Sequence, residues 1–187
     1  MNVKRSPGFT IIELMMVVAV VGVLSVVAVP AVGDMIKNGR IKSQMYNLLN
    51  SINQTRTEAV KRKETVTICR SNDLATPACG GTANTWTTGW LVFEDENGNG
   101  DFDAADDTQI STTVAGGGTV GIIGNSNYMI YNPDGSRKKD SGGNSITRFA
   151  ICDDRGEDNG RQINITPVGR ASIYSYPIDS CSAPTGP

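Results

Sequence analysis

Apolar residues run almost unbroken from Phe9 to Val32, and Glu13 is the only charge among them. As a helix rising about 1.5 Å per residue, this stretch spans roughly 36 Å, enough for a bilayer core of about 30 Å. Lys4 and Arg5 precede it. By the positive-inside rule these cations hold the N-terminus in the cytoplasm, so the chain beyond residue 32 lies across the membrane. Pro30 interrupts the run and removes one helical hydrogen bond, which predicts a kink or a local loosening.

After Gly33 the pattern changes. Ile41, Met45, Leu48, Leu49, Ile52, Ala59 and Val60 recur at helical spacing. Lys37, Arg40, Lys42, Gln44, Asn47, Arg56, Lys61 and Arg62 occupy the other sides. This predicts an amphipathic continuation over 33–62 with its stripe laid on a sheet. From residue 65 the chain alternates. Thr65–Cys69, Trp86–Glu94, Gln109–Val114, Val120–Ile123, Tyr128–Tyr131, Thr147–Cys152, Gln162–Thr166 and Ala171–Tyr176 are predicted strands. Residues 72–84, 95–107, 132–135 and 136–144 read as turns and polar loops, and Gly116-Gly117-Gly118 as a break. A long helix followed by many strands is an α+β fold. The domains are then a basic N-terminal segment at 1–8, a membrane helix at 9–32, its amphipathic extension at 33–62 and a β-rich globular domain at 63–187.

Composition narrows the chemistry. The chain has 187 residues, formal charge −2 and no histidine. The commonest general base and transition-metal ligand are therefore missing. No nucleophile motif such as G-x-S-x-G occurs, so no enzyme activity is expected. The four cysteines, Cys69, Cys79, Cys152 and Cys181, lie outside the membrane stretch and not at C-x-x-C spacing. In an oxidising compartment they read as two disulfides. The expected pairs are Cys69–Cys79, closing a short loop, and Cys152–Cys181, pinning the tail to a strand.

The loop Asp95-Glu96-Asn97-Gly98-Asn99-Gly100-Asp101-Phe102-Asp103-Ala104-Ala105-Asp106 reads two ways. Asn-Gly-Asn-Gly suits a hairpin turn. The spacing also matches a twelve-residue calcium loop. There Asp95, Asn97, Asn99, Asp103 and Asp106 would give side-chain oxygens, Asp101 a carbonyl, and Gly100 the bend. It departs from that pattern in ending on Asp106 rather than a bidentate Glu. No cofactor is expected beyond a weakly bound calcium at this loop.

The basic leader, Gly8 then Phe9, and Glu13 four residues after Phe9 resemble the type III signal of type IV pilins and type II secretion pseudopilins. The resemblance implies cleavage by the prepilin peptidase between Gly8 and Phe9 and N-methylation of Phe9. Loss of Lys4 and Arg5 takes the formal charge from −2 to −2 − 2 = −4. It also gives Glu13 a purpose. In lipid alone the carboxylate costs a few kcal/mol. Beside the Phe9 ammonium of a neighbouring subunit, it gains on the order of 4 kcal/mol at about 4 Å, comparable to the desolvation cost. Glu13 is then an assembly device.

Later segments resemble the GspH/FimT/FimU branch. They are Gln54–Arg62 leading into Val66–Cys69, Gly89–Asp95 with Asn97–Gly100, and Phe149–Asp153 followed by Gly160–Ile165 and Gly169–Arg170. The branch implies two sheets packed on the helix and a minor subunit of a filament. Its partners would be minor and major pilins through the N-terminal helix, the prepilin peptidase and the inner membrane. The expected location is the bacterial inner membrane, single-pass with a periplasmic domain, then a pilus or a secretion pseudopilus. DNA-uptake members carry Gly-Arg-x-Arg; here Gly169-Arg170-Ala171-Ser172 lacks the second arginine. Arg161 and Arg170, with the Arg137–Lys139 loop, are the candidate DNA contacts.

Overall fold

A computed structural model of the chain describes residues 8–71, 73–80, 85–116, 118–139, 148–175, 178 and 180–181. Leader residues 1–7, with Lys4 and Arg5, lie outside the described residues, as do Asn72, 81–84, Gly117, 140–144, Thr147 and Tyr176. The chain divides into two compact units, Met1–Asn38 and Gly39–Pro187.

Helix α1, Ile11–Arg62, runs through both units. In the first unit its large apolar side chains are exposed all round, from Phe9 and Ile11 to Val32. A helix apolar on every side is built for lipid or for packing among other helices. No single helix among the described residues is long and apolar enough to cross a membrane; Ile11–Val26 and Ala31–Arg62 pass that test only as a bent pair.

In the second unit α1 is amphipathic. Ile41, Met45, Leu48, Ile52 and Ala59 are buried. Val60, placed on the stripe by spacing, is 49% exposed, while Gln44, Ser51 and Thr55 are buried beside it. The stripe therefore drifts toward the 44-51-55-59 line, as 3.6-residue periodicity allows. The helix ends at Lys63, whose φ of 61° leaves the helical region, and the Lys63 N–H still reaches the Ala59 carbonyl at 2.9 Å. Glu58 holds Lys61 and Arg62 in the last turn, and Arg62 also reaches Glu94 at 3.0 Å.

Among the described residues, nine strands form two antiparallel sheets. They are β1 Val66–Arg70, β2 Gly89–Glu94, β3 Thr108–Val114, β4 Gly121–Gly124, β5 Tyr128–Tyr131, β6 Arg137–Lys138, β7 Arg148–Cys152, β8 Arg161–Ile165 and β9 Ala171–Ser175. The first sheet has the order β3-β2-β1-β5-β6 and the second β4-β7-β8-β9. A short 3-10 helix, Glu157–Asn159, precedes β8.

In the first sheet Val66 pairs with Glu94 on one side and Tyr131 on the other. Strands β1 and β2 are buried on both faces. Alternate residues Val66, Ile68, Trp90, Val92, Met129 and Tyr131 join the main core with the helix stripe. Their neighbours Cys69, Leu91 and Phe93 form a second cluster with Cys79, Phe102 and Tyr128. The second sheet gives Ile122, Phe149, Ile151, Ile163 and Ile165 to the same main core. On its other face Ala150 and Cys152 are covered by Ile178 and Cys181.

Two strand expectations need correction. Trp86 stands before β2, not in it. Its N–H donates to the Ile122 carbonyl at 2.7 Å, and its ring meets Phe149 edge-on at 5.0 Å, so it serves the second sheet. Arg137–Lys138, expected within a polar loop, is a strand paired to Tyr131 and Ile130. The turn that makes this hairpin bonds the Asn132 N–H to the Ser136 carbonyl at 2.9 Å and the Gly135 N–H to the Asn132 carbonyl at 2.8 Å.

Candidate functional site

The helix start is built from Gly8, Phe9, Thr10 and Glu13. Gly8 and Phe9 lie ahead of the helix and are exposed, and a Cβ on Gly8 would meet nothing within 4 Å. Among the described residues the backbone at the Gly8–Phe9 bond is thus uncrowded. Thr10 caps the helix: its Oγ1 accepts from the Glu13 N–H at 3.3 Å and its carbonyl from the Leu14 N–H at 3.2 Å. Thr10 and Glu13 stand at the spacing of a capping box, in which an N-cap hydroxyl and a glutamate three residues on satisfy orphan N–H groups. That role of Thr10 is an addition to the sequence reading, and its signal is the Thr-x-x-Glu spacing. The exposed Glu13 carboxylate sits in the first turn, where the helix carries partial positive charge. Chemically the arrangement offers an exposed Gly8–Phe9 peptide bond and an acid one turn along, at the start of a helical stretch whose described large apolar side chains are exposed.

Both expected disulfides are present. Cys69–Cys79 has a Cα separation of 5.5 Å and Cys152–Cys181 one of 5.9 Å. The first ties β1 to the loop ahead of β2. The second fastens the tail over the outer face of β7, where the Cys181 N–H also donates to Glu157 Oε1 at 3.3 Å.

The acidic loop joins β2 to β3 and is held by two buried carboxylates. Asp95 is fully buried. Its Oδ2 accepts from the Thr67 hydroxyl at 2.7 Å and the Gly100 N–H at 2.9 Å, and its Oδ1 from the Asn99 N–H at 3.1 Å. Asp107 Oδ1 accepts from the Glu96 N–H at 3.1 Å and Oδ2 from the Asp103 N–H at 2.8 Å. Asp107, not Asp106, is the buried acid at the loop's end; Asp101, Asp103 and Asp106 face solvent. Asn97, Asn99 and Asp103 turn their side-chain oxygens onto the N–H groups of Asn99, Asp101 and Ala105. Among the described residues no group of three or more Asp, Glu, Cys or His side chains is gathered to hold a metal. Asp107 and Thr67 were not singled out by spacing, because a buried hydrogen-bond acceptor has no periodic signal.

The candidate DNA contacts separate. Arg161 is buried on β8, and its Nη1 donates to the Gly160 carbonyl at 2.8 Å and the Asn159 carbonyl at 3.2 Å. It holds the 3-10 turn and is corrected from surface cation to structural group. Arg170 is exposed on the turn before β9. Arg137 is half-buried, and desolvation lowers its pKa from the usual arginine value. These cations stand on different elements and form no ladder along one strand.

Residues 45–169 match the family model described as type II transport protein GspH, and residues 3–29 match the prokaryotic N-terminal methylation motif. The fold is similar to two crystal structures of the type IV minor pilin FimU from Pseudomonas aeruginosa strain PAO1. For the form in space group P21 the TM-score is 0.59 at 17% identity, covering 78% of this chain and 97% of that one. For the form in space group P65 it is 0.57 at 19% identity, covering 75% and 98%. No curated protein matches the chain.

Proposed function

The chain belongs to the GspH family and carries the prokaryotic N-terminal methylation motif, and from that premise we propose that it is a minor type IV pilin, with structural rather than enzymatic work. The prepilin peptidase cuts between Gly8 and Phe9, and Phe9 is N-methylated. The apolar run 9–32 holds the subunit in the inner membrane as a single pass, with the globular domain in the periplasm. The helix then joins those of other minor and major pilins, priming the filament or sitting near its tip.

The observation that carries this reading is the exposed pair Phe9 and Glu13 at the start of a helical stretch, 11–32, whose described large apolar side chains are exposed. A lone carboxylate in such a helix is tolerable only when a cation meets it. The Phe9 ammonium of an adjacent subunit is the group that cleavage creates. The FimU-like fold supports a globular head of the minor-pilin kind.

The test is mass spectrometry of the membrane-extracted protein. The expected N-terminus is methylated Phe9. Gly8→Val blocks cleavage, because the peptidase must approach the backbone there. Glu13→Ala leaves cleavage largely intact and reduces methylation or incorporation into sheared filaments. Any other N-terminus overturns the assignment.

A second reading, a pseudopilin of type II secretion, is favoured by the description of the matching family itself. Deletion of the gene separates the two: loss of surface filaments supports the pilin, loss of secreted folded proteins the pseudopilin. A DNA-uptake receptor is a third reading. It rests on exposed Arg170 and loses Arg161 to the interior. A gel-shift assay with the detergent-solubilised chain addresses it.

A further inference from the structure

The chain contains four Asn-Gly pairs: Asn38-Gly39, Asn97-Gly98, Asn99-Gly100 and Asn159-Gly160. Such pairs are chemically special because glycine has no Cβ to shield its backbone nitrogen from the asparagine side chain before it. That nitrogen attacks only when its N–H is free to be lost. In three of the pairs the fold engages it. Gly39 lies inside α1, bonded to the carbonyl four residues back. The Gly100 N–H donates to Asp95 Oδ2 at 2.9 Å within the buried base of the loop. The Gly160 N–H donates to the Glu157 carbonyl at 3.1 Å. Among the described residues, the Gly98 N–H has no acceptor.

We propose that Asn97 is a site of spontaneous deamidation, selected over the other three by the one glycine N–H that the fold leaves unbonded. Asn97 is exposed, and its Oδ1 accepts from the Asn99 N–H at 3.0 Å. Its side chain is therefore folded forward over the peptide unit it would attack through. Lys138 Nζ donates to the Gly98 carbonyl at 3.0 Å, and a Cβ built on Gly98 would strike that ammonium. A cation there favours the deprotonated amide nitrogen.

The step balances with water alone. A base takes the Gly98 N–H proton, and the nitrogen forms a bond to Asn97 Cγ. The Cγ–Nδ2 bond breaks, and Nδ2 receives that proton back from the base and leaves as ammonia. Water then opens the five-membered imide at either carbonyl, giving aspartate or isoaspartate. Either product adds a negative charge beside exposed Glu96 and Asp101. Isoaspartate also moves one methylene into the backbone of the β2–β3 loop.

The experiment is timed incubation of the detergent-solubilised full chain at mildly alkaline pH, with peptide mapping that resolves the four asparagines. Asn97 is expected to convert about fivefold faster than Asn99 or Asn159, the factor that one net hydrogen bond on the attacking N–H supplies. In denaturant, with the disulfides reduced, the ratio falls toward one. Lys138→Met slows conversion at Asn97 and leaves Asn159 unchanged. Equal conversion of Asn97 and Asn99 in the folded chain, or a ratio that survives unfolding, overturns the proposal. An unchanged Asn97 rate in Lys138→Met overturns the part given to the lysine.

Discussion

The Tyr131 hydroxyl donates to the Gly169 carbonyl at 2.9 Å, and this buried bond ties the two sheets together. Tyr131 ends β5 of the first sheet; Gly169 sits in the turn between β8 and β9 of the second. The turn stacks on the β5–β6 hairpin, whose Gly135 carbonyl accepts from Arg56 Nε of α1 at 2.9 Å. Helix, hairpin and turn are thus chained through two backbone carbonyls at the far end of α1.

Removing that donor should be costly. Tyr131→Phe keeps the ring and leaves the Gly169 carbonyl without its partner, an expected loss of about 1 to 3 kcal/mol in denaturant melts of the solubilised chain. Burial of the same hydroxyl makes stability depend on alkaline pH. Burial pushes the Tyr131 hydroxyl above its ordinary value of 10.0, against the opposing pull of Arg56 and Arg137. The folded chain keeps the proton where the unfolded chain loses it. The stabilisation is therefore whole below pH 10 and falls as the pH rises past it toward the folded value. Tyr131→Phe should flatten this part of the alkaline decline. A wild-type minus variant difference that stays constant from neutral pH to about pH 11 would contradict it.

Gly169 and Gly156 form a matched test of space against backbone strain. Gly169 has φ 80°, and an added Cβ would strike the Gly135 carbonyl and the Tyr131 ring. Gly156 has φ 79°, but a Cβ there meets nothing within 4 Å. Alanine at 156 should cost only the backbone strain of φ 79° with ψ −156°, a region essentially restricted to glycine, about 1 to 3 kcal/mol. Alanine at 169 should cost clearly more and broaden the melt, because the clasp must open to admit it. Equal losses at the two positions would remove the packing argument.

Much of this architecture is legible in the residues. Tyr128–Tyr131 is a strand with the bounds its alternation predicts, and both cysteine pairs are those expected. The leader, the apolar run and Glu13 stand out because a single charge among apolar residues is rare. What escapes is structure set by tertiary context. Strand β6 is two residues of Arg and Lys with no alternation to announce it; its pairing follows from the Asn132–Ser136 turn. Val60 looks like core by spacing and is exposed, while Gln44 looks like surface and is buried against Gly116. Arg161 looks like a free cation, but its guanidinium binds backbone carbonyls. Burial of polar groups is decided by tertiary packing and by individual hydrogen bonds, and no local period encodes either.

The disulfides should differ in what they protect. They close separations of 10 and 29 residues, which by loop entropy gives about 3 and about 4 kcal/mol. Cys69 lies inside the cluster with Leu91 and Phe93, so Cys69→Ser adds a buried hydroxyl to the entropic loss. Cys181→Ser should instead release the tail, Ile178 included, from Ala150 and Cys152 while the main core holds. Limited proteolysis checks this: early cuts after residue 175, beyond β9, are expected for the Cys181 variant, and a more global loss of resistance for the Cys69 variant.

The acidic loop offers the sharpest contrast between neighbours in sequence. Asp95 is fully buried and gathers three donors from Thr67, Asn99 and Gly100. Asp95→Ala strands all three beneath the loop, for an expected loss of at least about 2 kcal/mol. Asp107→Ala frees the Glu96 and Asp103 N–H groups and should come next. Asp106 faces solvent, so Asp106→Ala should stay within about 0.5 kcal/mol of wild type. These melts belong in chelator, where only the loop's own bonds count. Calcium makes a separate demand: added at millimolar concentration it would have to raise the melting temperature, and Asp106→Ala, at the twelfth place, would have to remove that rise. A loss in chelator as large for Asp106→Ala as for Asp95→Ala would overturn the assignment of Asp95 and Asp107 as the loop's two anchors.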